Sequence, residues 1–306
     1  MRILIDCALG KHAQGVATVL RNNPTNEDVY IVGADMNVND KAIYYDKTYQ
    51  VPPIVDDNYV DAILNICNKE NIDLYIPWSV LELEKLIDNK DRFVNTKLMI
   101  TASKQSIQTL AHKINLYDYL KNNNYPYLPY HVVNSEDDIK NVIDKTWICK
   151  IDLGEGGRGV VKINNYIPNN IQYPSVLQEF VPIDCLYISD IIAHNGDIVN
   201  YYTRKSCYRS SIQTHQIVEC KSIEDIVRRL IKETNYDGLI NIQFIKKDNE
   251  YYITDVNPRL WGPIEASYLF GGNMLWEAIE LFMNGHITHK AKYNVLSTCT
   301  INIRKD

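Results

Sequence analysis

A chain of 306 residues has the length of about two domains, and 45% hydrophobic with 23% charged residues is the composition of an ordinary soluble globular protein. A net charge of −6 and a pI near 5.7 argue against a nucleic-acid surface, which needs a basic patch. No stretch approaches the ~18 consecutive apolar residues of a membrane span, Asp6 interrupts the short apolar run of Met1–Gly10 so that it does not read as a signal peptide, and the seven cysteines, odd in number and without a C-x-x-C pair, read as reduced thiols of a cytoplasmic protein.

Arg2–Cys7 is a short apolar strand leading into A-L-G-K-H-A-Q-G, where Gly10 and Gly15 open a strand-to-helix turn. The turn is not G-x-G-x-x-G, and Lys11 is not followed by Ser or Thr, so there is no P-loop. Val29–Val32, Leu74–Pro77 and Leu98–Thr101 read as strands, with helices at Tyr59–Lys69 and Val80–Ile87. This alternation predicts an α/β unit with a parallel sheet. Ile107–Asn122 follows as one helix carrying His112 and Lys113. Y-P-Y-L-P at Tyr125–Pro129 then breaks the chain at the entry to a second domain. Ser135–Ile143 opens with a serine cap and an acidic first turn, a helix start.

Trp147–Ile151 is a strand holding Lys150; D-L-G-E-G-G-R-G follows, then the strand V-V-K-I. A dinucleotide site needs strand–glycines–helix; here the glycines join two strands, as a hairpin tip whose backbone N–H groups can close on phosphates. Ser175–Val181 is the next strand. Leu186–His194 and Ile198–Thr203 flank the hairpin signal H-N-G-D, with Arg204 and Lys205 ending the second strand. An amphipathic helix at Ile223–Thr234 leads to Gly238–Phe244, G-L-I-N-I-Q-F. The polar turn Lys246–Glu250 then predicts a hairpin with Tyr251–Pro263, Y-Y-I-T-D-V-N-P-R-L-W-G-P. Asp255, Asn257 and Arg259 are spaced by two, so an extended backbone presents a carboxylate, an amide oxygen and a guanidinium on one face. Pro258 ends the ladder, and Gln243 can lie opposite. Carboxylate and carbonyl oxygens are the hard ligands of Mg²⁺, and Arg offers a fork that fits phosphate. A helix interrupted by G-G-N runs from Glu265 to Asn284, and Thr298–Ile303 reads as a closing strand.

The pair G-x-x-N-x-Q-F and D-x-N-P-R-x-x-G resembles the metal-binding hairpin of the ATP-grasp superfamily, nearest its carbamoyl-phosphate-synthase-like branch, with Asp255 where the family has Glu. Lys150 and the glycine hairpin resemble that family's lid, V-L-Q-E-F-V its hinge, and G-A-D-M-N with I-D-L-Y-I-P its pre-ATP domain. The resemblance implies an ATP-grasp fold over 106–306, with a lid at about 125–180 and a central metal-binding part at about 181–306, after a Rossmann-like domain over 1–105. It implies ATP held by Lys113, Lys150, Gly156, Gly157, the hinge Glu179, Phe180 and Val181, and Asp184. It places Mg²⁺, or Mn²⁺ in its stead, on Gln243, Asp255 and Asn257, and gives Arg259 and Arg204 to catalysis. The pattern departs at the ribose site, where Leu186 replaces a Glu and Asp184 is the substitute, and at His112, which replaces an Asp. The implied reaction joins a small-molecule carboxylate to an amine through an acyl phosphate, with a homodimer as a further option. A carboxyphosphate-forming enzyme and a non-catalytic ATP-binding module stand as alternatives, the latter suggested by His112 and Leu186; the strand–strand setting of the glycines argues against an oxidoreductase.

Overall fold

The computed structural model describes residues 1–37, 43–142, 144–154, 156–164, 166–209 and 212–302. Ile143, Glu155 of the glycine stretch and Ile303 of the closing strand lie outside them. The chain opens with β1 (Arg2–Ile5), α1 (Ala13–Arg21), β2 (Tyr30–Asp35), β3 (Lys47–Gln50), α2 (Tyr59–Glu70), β4 (Leu74–Ile76), α3 (Val80–Ile87) and β5 (Lys97–Leu98). The strands form an all-parallel sheet in the order β3-β2-β1-β4-β5. The expected α/β unit is present, and its apolar strands are covered on both faces, with Ile3, Leu4 and Ile5 fully buried.

The helix predicted over Ile107–Asn122 is two: α4 (Lys104–Ala111) and α5 (Lys113–Asn122), separated by an extended His112. The break has a local cause. Asp152, beyond β7, accepts the Lys113 N–H on its carbonyl and the Ile114 N–H on its carboxylate, satisfying N-terminal donors of α5. Its other carboxylate oxygen meets His112 Nδ1 at 2.6 Å.

Next come β6 (Tyr130–Val133), α6 (Glu136–Val142), β7 (Trp147–Ile151), β8 (Val160–Ile163) and β9 (Ser175–Glu179), whose strands form an antiparallel sheet β6-β9-β7-β8. The last part contains β10 (Cys185–His194), β11 (Asp197–Arg209), β12 (Ile212–Ile217), α7 (Lys221–Glu233), β13 (Gly238–Lys247), β14 (Glu250–Asn257), α8 (Glu265–Leu269), α9 (Met274–Asn284) and β15 (Thr298–Asn302). Its antiparallel sheet runs β14-β13-β10-β11-β12-β15. The two outer sheets share a core: Ile3, Ile5, Leu74 and Ile76 cluster with Ile192, Tyr202, Leu239 and Trp261.

Two expectations are corrected here. Arg204 and Lys205 do not end a strand; β11 continues to Arg209, because β12 pairs with it and closes the ladder over the polar run. The cysteines are not all reduced thiols: Cys185 and Cys207 form a disulfide, while Cys7, Cys67, Cys149, Cys220 and Cys299 carry none. The two bonded residues lie 22 apart in sequence but directly opposite across β10 and β11, a register that composition does not reveal. The cysteines therefore give no support to a compartment. Among the described residues, no helix is long and apolar enough to cross a membrane.

Candidate active site

The predicted metal hairpin forms in the expected register. Gln243 stands opposite Asp255 and Asn241 opposite Asn257, with a bulge between Gln243 and Phe244. Asn241 Oδ1 accepts from Gln243 Nε2 and Asn257 Nδ2, both at 3.4 Å, and Asn257 Nδ2 also reaches Asp255 Oδ2 at 3.4 Å. Arg259 Nη2 donates to Asn257 Oδ1 at 3.0 Å, and its Nη1 donates to the Leu260 carbonyl. Gln243, Asp255 and Asn257 thus offer one carboxylate and two amide groups on a single patch. An all-oxygen set of this kind fits Mg²⁺, which takes one or two carboxylates and completes its shell with water and substrate phosphates.

Two lysines reach this hairpin at neighbouring residues, Lys113 at Asp255 and Lys150 at Thr254. Lys113, the first residue of α5 and almost fully buried, lies 3.5 Å from Asp255 Oδ1 and donates to the Gly154 carbonyl at the base of the glycine turn. Lys150, buried on β7, donates to the carbonyl and hydroxyl of Thr254, each at 2.8 Å. Burial brings its pKa down to about 8, with Asp255 opposing and Lys113 adding to the fall. Two ammonium groups against one carboxylate leave a local excess of positive charge beneath a glycine hairpin, a place that favours phosphate. Above it, Gly156 and Gly157 are exposed in the left-handed region, φ 61° and 80°, with open space around each. A side chain would strain the turn there.

The hinge is positioned by pairing. Glu179 N–H donates to the Pro129 carbonyl at 2.9 Å and Phe180 N–H to the Thr146 carbonyl at 3.3 Å. The Glu179 carboxylate is shared between Lys247 at 2.8 Å and Lys145 at 3.1 Å, which hold its pKa below the usual range. Lys162 Nζ sits 4.0 Å from the Phe180 ring centre. Val181 is half-buried and Asp184 is exposed.

Arg204, expected at the reacting phosphate, is 1% exposed and committed to its own network. Its Nε and Nη2 donate to Asp190 at 2.7 and 3.4 Å, and Nη1 lies 2.7 Å from His215 Nδ1. Asn241 Nδ2 donates to the same Asp190 at 2.5 Å, so the network reaches the metal hairpin. The alternation of β11, with Tyr202, Arg204 and Ser206 all buried, turns this guanidinium inward. The structure brings together Lys113, Lys150, Asp255, Gln243, Asn257 and Arg259; it holds Arg204 behind them.

Four site residues carried no role in the sequence reading: Asp190, Asn241, Thr254 and His215. Asn241 stands in the quoted G-L-I-N-I-Q-F and Asp190 in the predicted strand Leu186–His194, so a signal was present. Thr254, an ordinary strand residue, and His215, on a strand not predicted, had none. His112 also gains a partner set: beside Asp152, its Nε2 lies 3.1 Å from Glu84 of α3, and these carboxylates raise its pKa.

A lysine pair at the foot of a glycine hairpin, next to an oxygen-donor hairpin, is an arrangement suited to the phosphates of a nucleotide. The chain belongs to the ATP-grasp family: the ATP-grasp domain model matches residues 110–263, half of the chain, and the N-terminal domain model of PylC-like proteins matches residues 3–101. Within it the chain falls in the carbamoyl-phosphate-synthase-like branch. It is 26% identical over 251 residues to an uncharacterized protein of Methanocaldococcus jannaschii, covering 78% of this chain and 62% of that one. To the carbamoyl phosphate synthase large chain of Thermoplasma acidophilum it is 23% identical over 230 residues, covering 65% and 22%. The chain thus spans less than two thirds of either relative. Among solved structures, N5-carboxyaminoimidazole ribonucleotide synthetase of Thermotoga maritima matches 98% of this chain and 79% of its own with a TM-score of 0.66 at 16% identity. The Staphylococcus aureus synthetase complexed with ADP matches 99% and 93% with a TM-score of 0.65 at 14% identity.

Proposed function

We propose that this protein is an ATP-dependent ligase that joins a carboxylate to an amine. The carboxylate oxygen attacks the γ-phosphorus and ADP leaves. The amine nitrogen then attacks the acyl carbon, phosphate leaves, and the amine's proton is lost as the amide forms. The observation that carries this reading is the placement of Lys113 against Asp255 and of Lys150 on the adjacent Thr254, at the foot of the glycine hairpin.

Phosphoryl transfer asks a protein for positioning and charge rather than covalent help. Lys113 and Lys150 hold phosphate oxygens, and Arg259, already on Asn257, extends a guanidinium to the transferring group. Gln243, Asp255 and Asn257 would hold Mg²⁺, or Mn²⁺; the ion, when bound, neutralises phosphate charge. With one carboxylate in that set, the nucleotide itself supplies most of the ion's negative ligands. The glycine hairpin, with Gly156 and Gly157 at its tip, folds over the phosphates and keeps water from the acyl phosphate. Adenine lies against the hinge, donating to the backbone carbonyl of Glu179 and taking a hydrogen bond from the backbone of Val181 beside Phe180, and Asp184 takes the ribose hydroxyls that Leu186 cannot. On this reading residues 1–105 form the pre-ATP domain and 106–306 the ATP-grasp domain.

The test is chemical trapping. Protein given Mg-ATP, hydroxylamine and a panel of carboxylic acids should form a hydroxamate with at least one acid, with ADP in equal amount. ADP release driven by bicarbonate alone, with no hydroxamate from any acid, would replace this reading with carboxyphosphate formation.

A further inference from the structure

His112 has a carboxylate at each ring nitrogen. Nδ1 lies 2.6 Å from Asp152 Oδ2, and Nε2 lies 3.1 Å from Glu84 Oε1. A neutral imidazole has one N–H and one bare lone pair, whereas an ionised carboxylate only accepts. Two such partners at hydrogen-bond distance are therefore matched by the imidazolium, which donates from both nitrogens. The three side chains are 17 to 23% exposed, so bulk water screens them little. The hydrogen bond to Asp152 raises the His112 pKa against the effect of burial, and the one to Glu84 adds to the rise.

The three residues come from three parts of the molecule. Glu84 is on α3 of the parallel-sheet unit, a helix anchored by the Ser79–Glu82 capping box. His112 is the extended residue between α4 and α5. Asp152 follows β7 and begins the glycine hairpin. Lys113, whose N–H donates to the Asp152 carbonyl, is the neighbouring cation.

Asp152 in turn sets Lys113. Its carbonyl takes the Lys113 N–H at 3.1 Å and its second carboxylate oxygen takes the Ile114 N–H at 2.9 Å, which fixes the first turn of α5. Two residues on, the Gly154 carbonyl takes the Lys113 ammonium at 3.2 Å. Both ends of Lys113 are thus held from the Asp152–Gly154 segment, and the His112–Glu84 link ties that segment to α3.

We propose that His112 is a positioning residue for Lys113: as an imidazolium it clasps the base of the glycine hairpin to α3, and on losing its proton to solvent it keeps Asp152, releases Glu84 and lets Lys113 shift from the phosphates. Asp152 is kept because it is the closer partner and is itself fixed by α5. The inference rests on the reading of Lys113 as a phosphate ligand. Nucleotide affinity is then full below the folded pKa of His112, which lies above 6.5, and falls as pH rises through it. By reciprocity, bound nucleotide raises that pKa further.

The experiment has two readouts. The first needs no nucleotide. Nitrogen NMR of His112, assigned by its absence in His112→Gln, should show both ring nitrogens protonated at pH 6.5. The Lys113 and Ile114 N–H groups should exchange at least threefold more slowly in wild type than in His112→Gln at that pH. A neutral ring, or equal exchange, overturns the proposal. The second is calorimetric titration of Mg-ATP at pH 6.5 and at one unit above the ring pKa that NMR gives. Wild type should bind at least fivefold more tightly than His112→Gln at the lower pH and within twofold of it at the higher. Lys150, brought down to about 8 by burial, titrates in both proteins, so the difference between them isolates His112. Glu84→Gln separates the clasp from a merely structural contact. Its amide can donate to the bare Nε2 of neutral His112, so at the higher pH it should bind Mg-ATP at least threefold more tightly than wild type. Equal affinity of wild type and His112→Gln at pH 6.5, or Glu84→Gln matching wild type at the higher pH, overturns the proposal. If wild type binds no Mg-ATP at either pH, the ligase reading fails while the clasp stands or falls on ring protonation and exchange.

Discussion

Two charged clusters lie side by side in this molecule, and they are built to different ends. Around Asp190, Arg204 and His215 the groups are almost fully buried, and a bidentate ion pair holds the guanidinium at 2.7 and 3.4 Å. Around Asp255, Lys113 meets the carboxylate and Lys150 bonds the adjacent Thr254 at the foot of a glycine turn, and that carboxylate is partly open to solvent. In the first cluster the charges are paired with each other, and the pairing fixes geometry. The second carries surplus positive charge, which is how a protein prepares for an anion it does not yet hold.

The largest effect should come from breaking the buried ion pair. Removing one partner of a buried pair strands the other charge, at about 3–5 kcal/mol. Arg204→Met should therefore lower the unfolding free energy by that amount in denaturant titration; a loss below 1 kcal/mol would mean that Asp190 is solvated after all. Next is the open cluster. Asp255→Asn should retain most nucleotide affinity, yet lower the rate of hydroxamate formation by about 10²–10³, the usual loss on removing one strong electrostatic stabiliser of a transition state. Wild-type turnover in this variant would take the metal off the hairpin.

A smaller effect belongs to the lid. Gly157→Ala forces a side chain to φ 80°, at about 1–2 kcal/mol. The strain falls on a loop tip with nothing packed against it, so turnover should fall severalfold while the melting temperature stays nearly constant. The smallest concerns His112, held between Asp152 and Glu84, with Lys113 next to Asp152. Its pKa is raised above the ordinary 6.5, mainly by the hydrogen bond to Asp152. A raised base contributes stability that is complete below the unfolded value and is lost as pH rises through the folded one. Melting temperature should thus decline from pH 6.5 upward in wild type, and less steeply in His112→Gln. Parallel curves would show that the histidine stays neutral.

Much of the geometry of the candidate site was legible because its residues are tied to backbone periodicity. Asp255, Asn257 and Arg259 share a face by their spacing, and a short polar turn brings Gln243 opposite. The parallel sheet was legible for the same reason, as apolar runs alternating with amphipathic helices. What stayed hidden depends on partners distant in sequence. Arg204 looked like a strand-end cation until β12 closed over it, and Cys207 looked like a free thiol until β11 set it against Cys185. Likewise, nothing near His112 announces Asp152, forty residues on, which splits the predicted helix and starts its second half.

The central claim is that Lys113 and Lys150 form an ATP phosphate site. Calorimetric titration of Mg-ATP tests it most directly, with Lys113→Met and Lys150→Met beside wild type and NADPH as the control nucleotide. The account predicts Mg-ATP binding to wild type, at least tenfold weaker binding to either variant, and weaker binding of NADPH than of Mg-ATP. Equal Mg-ATP affinity in all three proteins, or tighter binding of NADPH, would contradict it.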